Sequence, residues 1–118
     1  MKYLCLIYDD EKKIEGMSQA DSDQFMAAYF AFSDDIQKSG QYIHGEALQP
    51  VQTATTLRSR NGKVSTTDGP FAETKEQLGG FYLIEAKDLN EAIQVASRIP
   101  SIRTGSIEIR PVVDFAKP

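Results

Sequence analysis

A dense group of side chains able to do chemistry occupies residues 68–76, whose sequence is DGPFAETKE. Glycine tolerates backbone angles that other residues avoid, and proline fixes its own φ, so Asp68-Gly69-Pro70 predicts a bend. We predict that Phe71 anchors this bend to the core. The connector that follows then presents carboxylate, hydroxyl and ammonium groups on Glu73, Thr74, Lys75 and Glu76. Polar groups held in fixed positions on a loop are what a ligand site requires.

Each polar group of this run has a functional and a structural interpretation. The carboxylate of Asp68 could orient a water, accept a proton or hold a ligand amine. Alternatively, it closes an Asx-turn by accepting a hydrogen bond from a nearby backbone amide. Lys75, flanked by Glu73 and Glu76, could bind a small zwitterion or acid. The alternative is a set of exposed ion pairs that adds little stability.

His44 and Glu46 form a second candidate group, because alternate residues of a strand face the same side. His44 could act as a general base beside Asp68, or could be a partly buried, hydrogen-bonded structural histidine. Cys5 lies between Leu4 and Leu6 and is interpreted as a small buried hydrophobe rather than a nucleophile. We therefore predict two catalytic residues, Asp68 and His44. The predicted ligand-binding residues are Glu46, Phe71, Glu73, Thr74, Lys75 and Glu76.

The elements that must position these residues begin with a strand and a long helix. Residues 3–8 are apolar throughout, which predicts a strand covered on both faces. Ser18 and Asp21 resemble a capping box, and the helix that they begin ends near Lys38 and Gly40. Aromatic and aliphatic side chains at helical spacing predict a core-facing stripe of Phe25, Tyr29, Phe32 and Ile36, widened by Met26, Ala28 and Ala31.

The remainder of the chain alternates strands with one more helix. Residues 42–48 and 81–86 are predicted strands, and 53–60 and 63–67 flank Asn61-Gly62, the signature of a type I′ hairpin turn. This polar hairpin is predicted to be a solvated flap. Asp88 and Glu91 cap a helix that ends before Pro100, and we expect it to turn Leu89, Ala92, Ile93 and Ala96 inward. A last strand, 106–110, places Ile107 and Ile109 on one face.

Without the hairpin, this order is βαββαβ, which predicts a single ferredoxin-like α+β domain over residues 1–118. Both helices cover one face of such a sheet, whereas residues 3–8 and 81–84 put bulky groups on both faces. A second copy of the chain is the simplest cover for the other face, so we predict a homodimer that forms a dimeric α/β barrel.

Motifs along nearly the whole chain resemble the DGPF family of YCII-related proteins. They are MKYL at residues 1–4, GEALQP at 45–50, DGPFAETKE at 68–76, RIP at 98–100 and SIEIRPV at 106–112. The resemblance implies a ferredoxin-like fold that dimerises through its sheets. It also implies, through genomic association of some members, a link to extracytoplasmic-function sigma factors. Shorter YCII relatives carry a histidine in the first helix as half of a proposed His/Asp pair, and residues 18–38 contain none.

Composition limits the function further. The net charge of −4 disfavours binding to a phosphate backbone, so we expect no nucleic-acid partner despite Arg58, Arg60 and Lys63. One cysteine and one histidine cannot build a zinc site or an internal disulfide, and we expect no metal and no cofactor. The apolar start is too short for a signal peptide, and no run is long enough to span a membrane, so we expect a cytoplasmic protein.

Three functions are consistent with this sequence. The first is binding of a small polar metabolite, with or without acid/base processing, in a cleft roofed by the 53–67 hairpin and lined by the 68–76 loop. The second is an accessory or regulatory role for a sigma factor, which rests on the resemblance. The third is a structural interaction module.

Overall fold

A computed structural model describes residues 1–116 of the chain. The strands are β1 (Lys2–Asp9), β2 (Tyr42–Ala47), β3 (Thr55–Arg60), β4 (Lys63–Asp68), β5 (Gln77–Glu85) and β6 (Ser106–Pro111). The helices are α1 (Glu11–Glu15), α2 (Gln19–Lys38) and α3 (Leu89–Ala96), and short 3-10 turns lie at Val51–Thr53 and Pro100–Ile102.

The sheet has the predicted ferredoxin-like connectivity. Four strands pair antiparallel in the order β2-β5-β1-β6, and β3 and β4 form a separate two-stranded sheet. The fold is therefore α+β, with the βαββαβ order of secondary structure and a β-hairpin inserted between β2 and β5, as predicted.

Helices α2 and α3 pack on one face of the four-stranded sheet. The buried cluster combines side chains of β1 and β5 with α2 and α3: Tyr3, Cys5, Ile7, Tyr82, Ile84, Phe32, Ile36, Ala92, Val95, Ala96 and Ile99 among them. Because side chains alternate along a strand, the intervening residues of β1 and β5 face away from the helices. The predicted helical stripe of α2 is confirmed, with Phe32 and Ile36 buried and Phe25 and Tyr29 half-buried.

Two details of helix orientation were predicted wrongly. Met26, Ala28 and Ala31 are exposed and do not widen the buried stripe of α2. On α3, Leu89 and Ile93 are also exposed, and Val95 is buried in their place beside Ala92 and Ala96. Ala92, Val95 and Ala96 are spaced i, i+3 and i+4, so they share one face of α3, and that face packs on the sheet.

The predicted helix caps and hairpin turn are confirmed. The side chain of Ser18 accepts a hydrogen bond from the amide of Asp21 at 3.1 Å, and Asp88 accepts one from Glu91 at 2.9 Å. Asn61 and Gly62 both have positive φ, at 53° and 77°, as a type I′ turn requires. The hairpin is almost entirely exposed, which confirms that it is solvated.

β5 begins four residues earlier than predicted, at Gln77 rather than Phe81. Gly79 interrupts the register, because Ile7 pairs with Gly80 while Tyr8 pairs with Leu78. At Gly80 the neighbouring strand approaches so closely that a Cβ would lie 2.7 Å from the carbonyl oxygen of Glu46. Within residues 1–116 no helix is both long and apolar enough to cross a bilayer.

Candidate functional site

A cavity of about 480 Å3 lies between α2 and the β2–β5 side of the sheet. Its floor is the helix-facing surface of the sheet, formed by Ile7, Gly45, Gly79, Gly80 and Tyr82. The three glycines have no side chains to fill the space above the strands. One wall is the side of α2 that carries Phe25, Met26, Tyr29, Phe30, Ser33 and Gln37. Cavities of this size and apolar lining are typical of small-molecule sites.

The short helix α1 and the segment after β2 cover one end of the cavity. Asp10 caps α1 by accepting a hydrogen bond from the amide of Lys12 at 3.0 Å. The amide of Glu11 donates to the side-chain oxygen of Gln77 at 2.9 Å, and the carboxylate of Glu11 accepts from the amide of Val51 at 3.1 Å. These contacts hold Ile14 and Glu15 over the cavity. Helix α1 was not predicted from the sequence.

A chain of hydrogen-bonded side chains lies at the deep end of the cavity. Ser101, which is fully buried, donates to one oxygen of the Asp9 carboxylate, and Thr104 donates to the other at 2.6 Å. Tyr29 is hydrogen bonded to Ser101. The single hydroxyl hydrogen of Ser101 points to Asp9, so Tyr29 must be the donor in that bond. The order of donation is therefore Tyr29 to Ser101 to Asp9.

Burial changes the acidity of the two tyrosines that line this end. It raises the pKa of Tyr29 to about 12; the hydrogen bond between Tyr29 and Ser101 opposes this rise in pKa, and the nearby carboxylate of Asp9 adds to it. Burial also raises the pKa of Tyr82, whose hydroxyl lies 2.6 Å from that of Ser33. Both tyrosines are therefore neutral hydroxyl groups at physiological pH.

Sequence reasoning missed the residues of this network. Asp9 ends the apolar run of β1, and a carboxylate placed at the end of a buried strand was an available signal. Tyr29 was assigned to the core for its ring, and its hydroxyl was not considered. Ser101 gave no signal, because only the fold brings it to Asp9, which lies 92 positions away.

Of the eight predicted site residues, only Glu46 lines the cavity, and it does so from its strand backbone, because it pairs with Phe81 and its carboxylate faces the other side of the sheet. The catalytic pair is not brought together, because no described contact within residues 1–116 joins His44 to Asp68. His44 instead lies 3.0 Å from the carboxylate of Glu46, and its ring is 5.9 Å from that of Phe81. The expectation that the two residues face the same side is confirmed.

The 68–76 loop is positioned through its backbone. Gly69 has a φ of 108°, as the predicted bend requires, and its amide donates to the carbonyl oxygen of Ala54 at 2.7 Å. The guanidinium of Arg58 donates to the carbonyl oxygen of Phe71. The side-chain amide of Gln77 donates to the backbone carbonyl oxygen of Thr74.

The side chains of the loop mostly point to solvent. Phe71 is 78% exposed, so it does not anchor the bend to the core. Asp68, Glu73 and Lys75 are exposed, and Glu76 accepts a hydrogen bond from Ser106 at 2.7 Å. Neither this loop nor the 53–67 hairpin lines the cavity, so the predicted cleft between them is not where the chain forms its cavity. The reason is that the hairpin pairs only with itself and does not fold back over the four-stranded sheet.

Comparisons with known proteins agree with this fold. The YCII-related domain matches residues 1–116. An uncharacterised protein of Rhizobium meliloti (strain 1021) is 38% identical over 114 residues, which cover 95% of this chain and 92% of that protein.

Among solved structures, a similar one is 5-chloro-2-hydroxyhydroquinone dehydrochlorinase from Burkholderia phenoliruptrix AC1100, in complex with 2,5-dihydroxybenzoquinone. The two structures match with a TM-score of 0.55 and 16% sequence identity, and the match covers 96% of this chain and 94% of the dehydrochlorinase. This likeness concerns the fold. The narrower assignment to the DGPF group stays a prediction from the motif at residues 68–71.

Proposed function

The chain belongs to the YCII-related domain family, and from that premise we propose that it binds a small molecule in the cavity between α2 and the sheet. The observation that carries the proposal is the cavity itself: about 480 Å3, with apolar walls and one partly buried hydroxyl–carboxylate network. A site with apolar walls and a few placed polar groups is the usual form of a metabolite pocket. The dehydrochlorinase of the same fold was solved with a small ring-shaped molecule, which supports this class of ligand.

The rim of the cavity explains how a ligand would enter and be held. Met26, Phe30 and Leu48 line the cavity and are 54%, 69% and 48% exposed, so apolar surface surrounds the opening. A ligand that covers these side chains removes apolar area from water, at about 25 cal/mol per Å2. The polar groups at the deep end then fix its orientation.

The experiment is a screen of a metabolite library by melting temperature, followed by crystallography of the complexes. Ser33→Leu places a larger side chain into the cavity, and we expect it to weaken binding of any true ligand by about tenfold or more. Ala31→Leu is the matched control, because Ala31 is exposed on the same helix and does not line the cavity. A ligand whose affinity is equal in both variants binds elsewhere and contradicts the proposal.

We also propose that the chain is a homodimer joined through the sheet face opposite the helices. The strand registers place six large side chains on that face: Leu4, Leu6, Tyr8, Leu78, Phe81 and Leu83. All six side chains are half-buried in the single chain. A contiguous apolar surface of this kind is typical of a protein interface, and a second copy offers a complementary one.

The association with a sigma factor rests on the resemblance alone and stays a prediction. Co-purification of a sigma factor with the full chain would support it, and its absence from such a preparation would count against it.

A further inference from the structure

The charge of the cavity lining has one sign. Three acidic residues line it with their side chains on the helix side of the sheet, Asp9, Glu11 and Glu15, and among the described residues no lysine, arginine or histidine lines it. Resting on the proposed function, we infer that this cavity takes neutral or cationic molecules that donate hydrogen bonds, and that it excludes organic anions. An anion in this cavity would meet several carboxylates with no cation to compensate them.

The direction of the buried hydrogen bonds leads to the same ligand class. Both oxygens of Asp9 accept protein hydroxyls, from Ser101 and Thr104. The hydrogen of Tyr29 is committed to Ser101, so the tyrosine oxygen has only a lone pair left for the cavity. A ligand hydroxyl or ammonium can donate to that lone pair, whereas a carboxylate has no hydrogen to donate.

The carboxylates at the covered end remain available as charges. The carboxylate of Glu11 is partly satisfied by the backbone amide of Val51. Glu15 is exposed on α1 and has no described partner within residues 1–116. Its charge therefore acts on whatever occupies the cavity below α1, although solvent weakens the effect.

The aromatic wall completes the recognition. Phe25 and Tyr29 pack edge to face with ring centroids 5.3 Å apart, and Phe30 extends from the same wall toward solvent. Aromatic faces attract cations and stack with rings, and they offer nothing favourable to an anion. The ligand class is thus a small amphipathic molecule with an apolar ring and a hydroxyl or ammonium group.

Three probes that share one ring test this inference: tyramine, 4-ethylphenol and 3-(4-hydroxyphenyl)propionate. Their side groups are cationic, neutral and anionic at neutral pH, and titration calorimetry on the full chain gives each affinity. We expect tyramine to bind about tenfold or more tighter than the propionate, since one ion pair at partly screened distance is worth that much. Binding of the propionate as tightly as tyramine would overturn the inference.

Variants separate a local effect from the net charge of the whole protein. Glu15→Gln should reduce the ratio of tyramine to propionate affinity several-fold and leave 4-ethylphenol unchanged. Glu91→Gln is the control: it removes the same charge from α3, outside the cavity, and keeps an oxygen that accepts from Gln41. Equal changes in the two variants would mean that long-range charge, not the cavity, sets the preference, and the inference would fail.

The outcomes distinguish this inference from the proposed function. Propionate binding that Ser33→Leu abolishes would overturn the charge selectivity and leave the cavity as the site. Probe binding that is insensitive to Ser33→Leu would overturn the cavity itself. Failure of all three probes to bind would overturn the inference, while a cavity-dependent ligand of another class would keep the proposed function.

Discussion

Ser101 donates a hydrogen bond to the carboxylate of Asp9 across 92 positions of sequence. The bond joins the turn after α3 to the end of β1. It also fixes the direction in which Tyr29 donates, and so determines which polar atoms face the cavity.

Ser101→Ala should destabilise the protein by about 2 kcal/mol, because it leaves one oxygen of the Asp9 carboxylate and the Tyr29 hydroxyl without a partner. In a domain of this size the melting temperature should fall by roughly 5 °C. Ser97→Ala is the control, since the exposed Ser97 bonds only to a carbonyl of its own helix. Equal melting temperatures for the two variants would show that the network adds no stability.

Alkaline pH should destabilise the fold through Cys5. Burial raises the pKa of this thiol from 9.0 to about 11, so the unfolded chain loses the proton at lower pH than the folded chain. Stability is therefore fully present below about pH 9 and falls as pH rises toward about 11, by about 2 kcal/mol. Tyr29, with its pKa raised to about 12, contributes in the same direction above about pH 10.

Urea denaturation at about pH 8 and about pH 10.5 measures this dependence. At the lower pH, Cys5→Ala should be less stable than the wild type, because it leaves a small cavity. Between the lower and the higher pH, however, the variant should lose less stability than the wild type. An equally steep fall in the variant would assign the pH dependence to other groups.

Two adjacent glycines should respond differently to alanine. At Gly80 a Cβ would lie 2.7 Å from the carbonyl oxygen of Glu46, so Gly80→Ala must push two paired strands apart. We expect a loss of about 2 kcal/mol. At Gly79 a Cβ meets nothing within 4 Å, and Gly79→Ala should change stability by less than about 0.5 kcal/mol. Chemical denaturation of the two variants measures this difference in stability. A larger loss in Gly79→Ala than in Gly80→Ala would contradict the close approach of the strands at Gly80.

Leu83→Asp should convert the proposed dimer to monomer or aggregate, because it places a charge at the centre of the sheet face opposite the helices. Light scattering at micromolar concentration measures the mass against 13.1 kDa for one chain. Ile93→Asp is the control, since Ile93 is an exposed apolar residue on the helical side. A wild-type protein that is already monomeric would contradict the dimer.

Asp68→Asn tests the loop that the sequence singled out. Asp68 is exposed, so we expect the melting temperature to stay within about 2 °C of wild type. The prediction that the loop contributes to the site further expects a loss of ligand response, and Glu73→Gln should behave likewise. Unchanged ligand binding in both variants would restrict the site to the cavity.

The sequence determined the features that depend on a few neighbouring residues. The caps at Ser18 and Asp88, the turn at Asn61-Gly62 and the continuous apolar run of β1 each have a physical cause within one turn or one strand. Their order then predicted the ferredoxin-like fold, because few topologies accommodate βαββαβ. The same logic failed at α3, where the tertiary contact, not the periodicity, decided that Leu89 and Ile93 face solvent.

Only the tertiary structure decided where the cavity lies. A dense polar loop is visible in the sequence because its residues are adjacent, but its direction depends on whether the hairpin folds over the sheet, and the hairpin does not. Asp9, Tyr29 and Ser101 come from a strand, a helix and a turn that are distant in sequence, and no local pattern marks them as neighbours. A cavity is the space that remains between packed elements, so it is fixed by long-range packing rather than by local sequence.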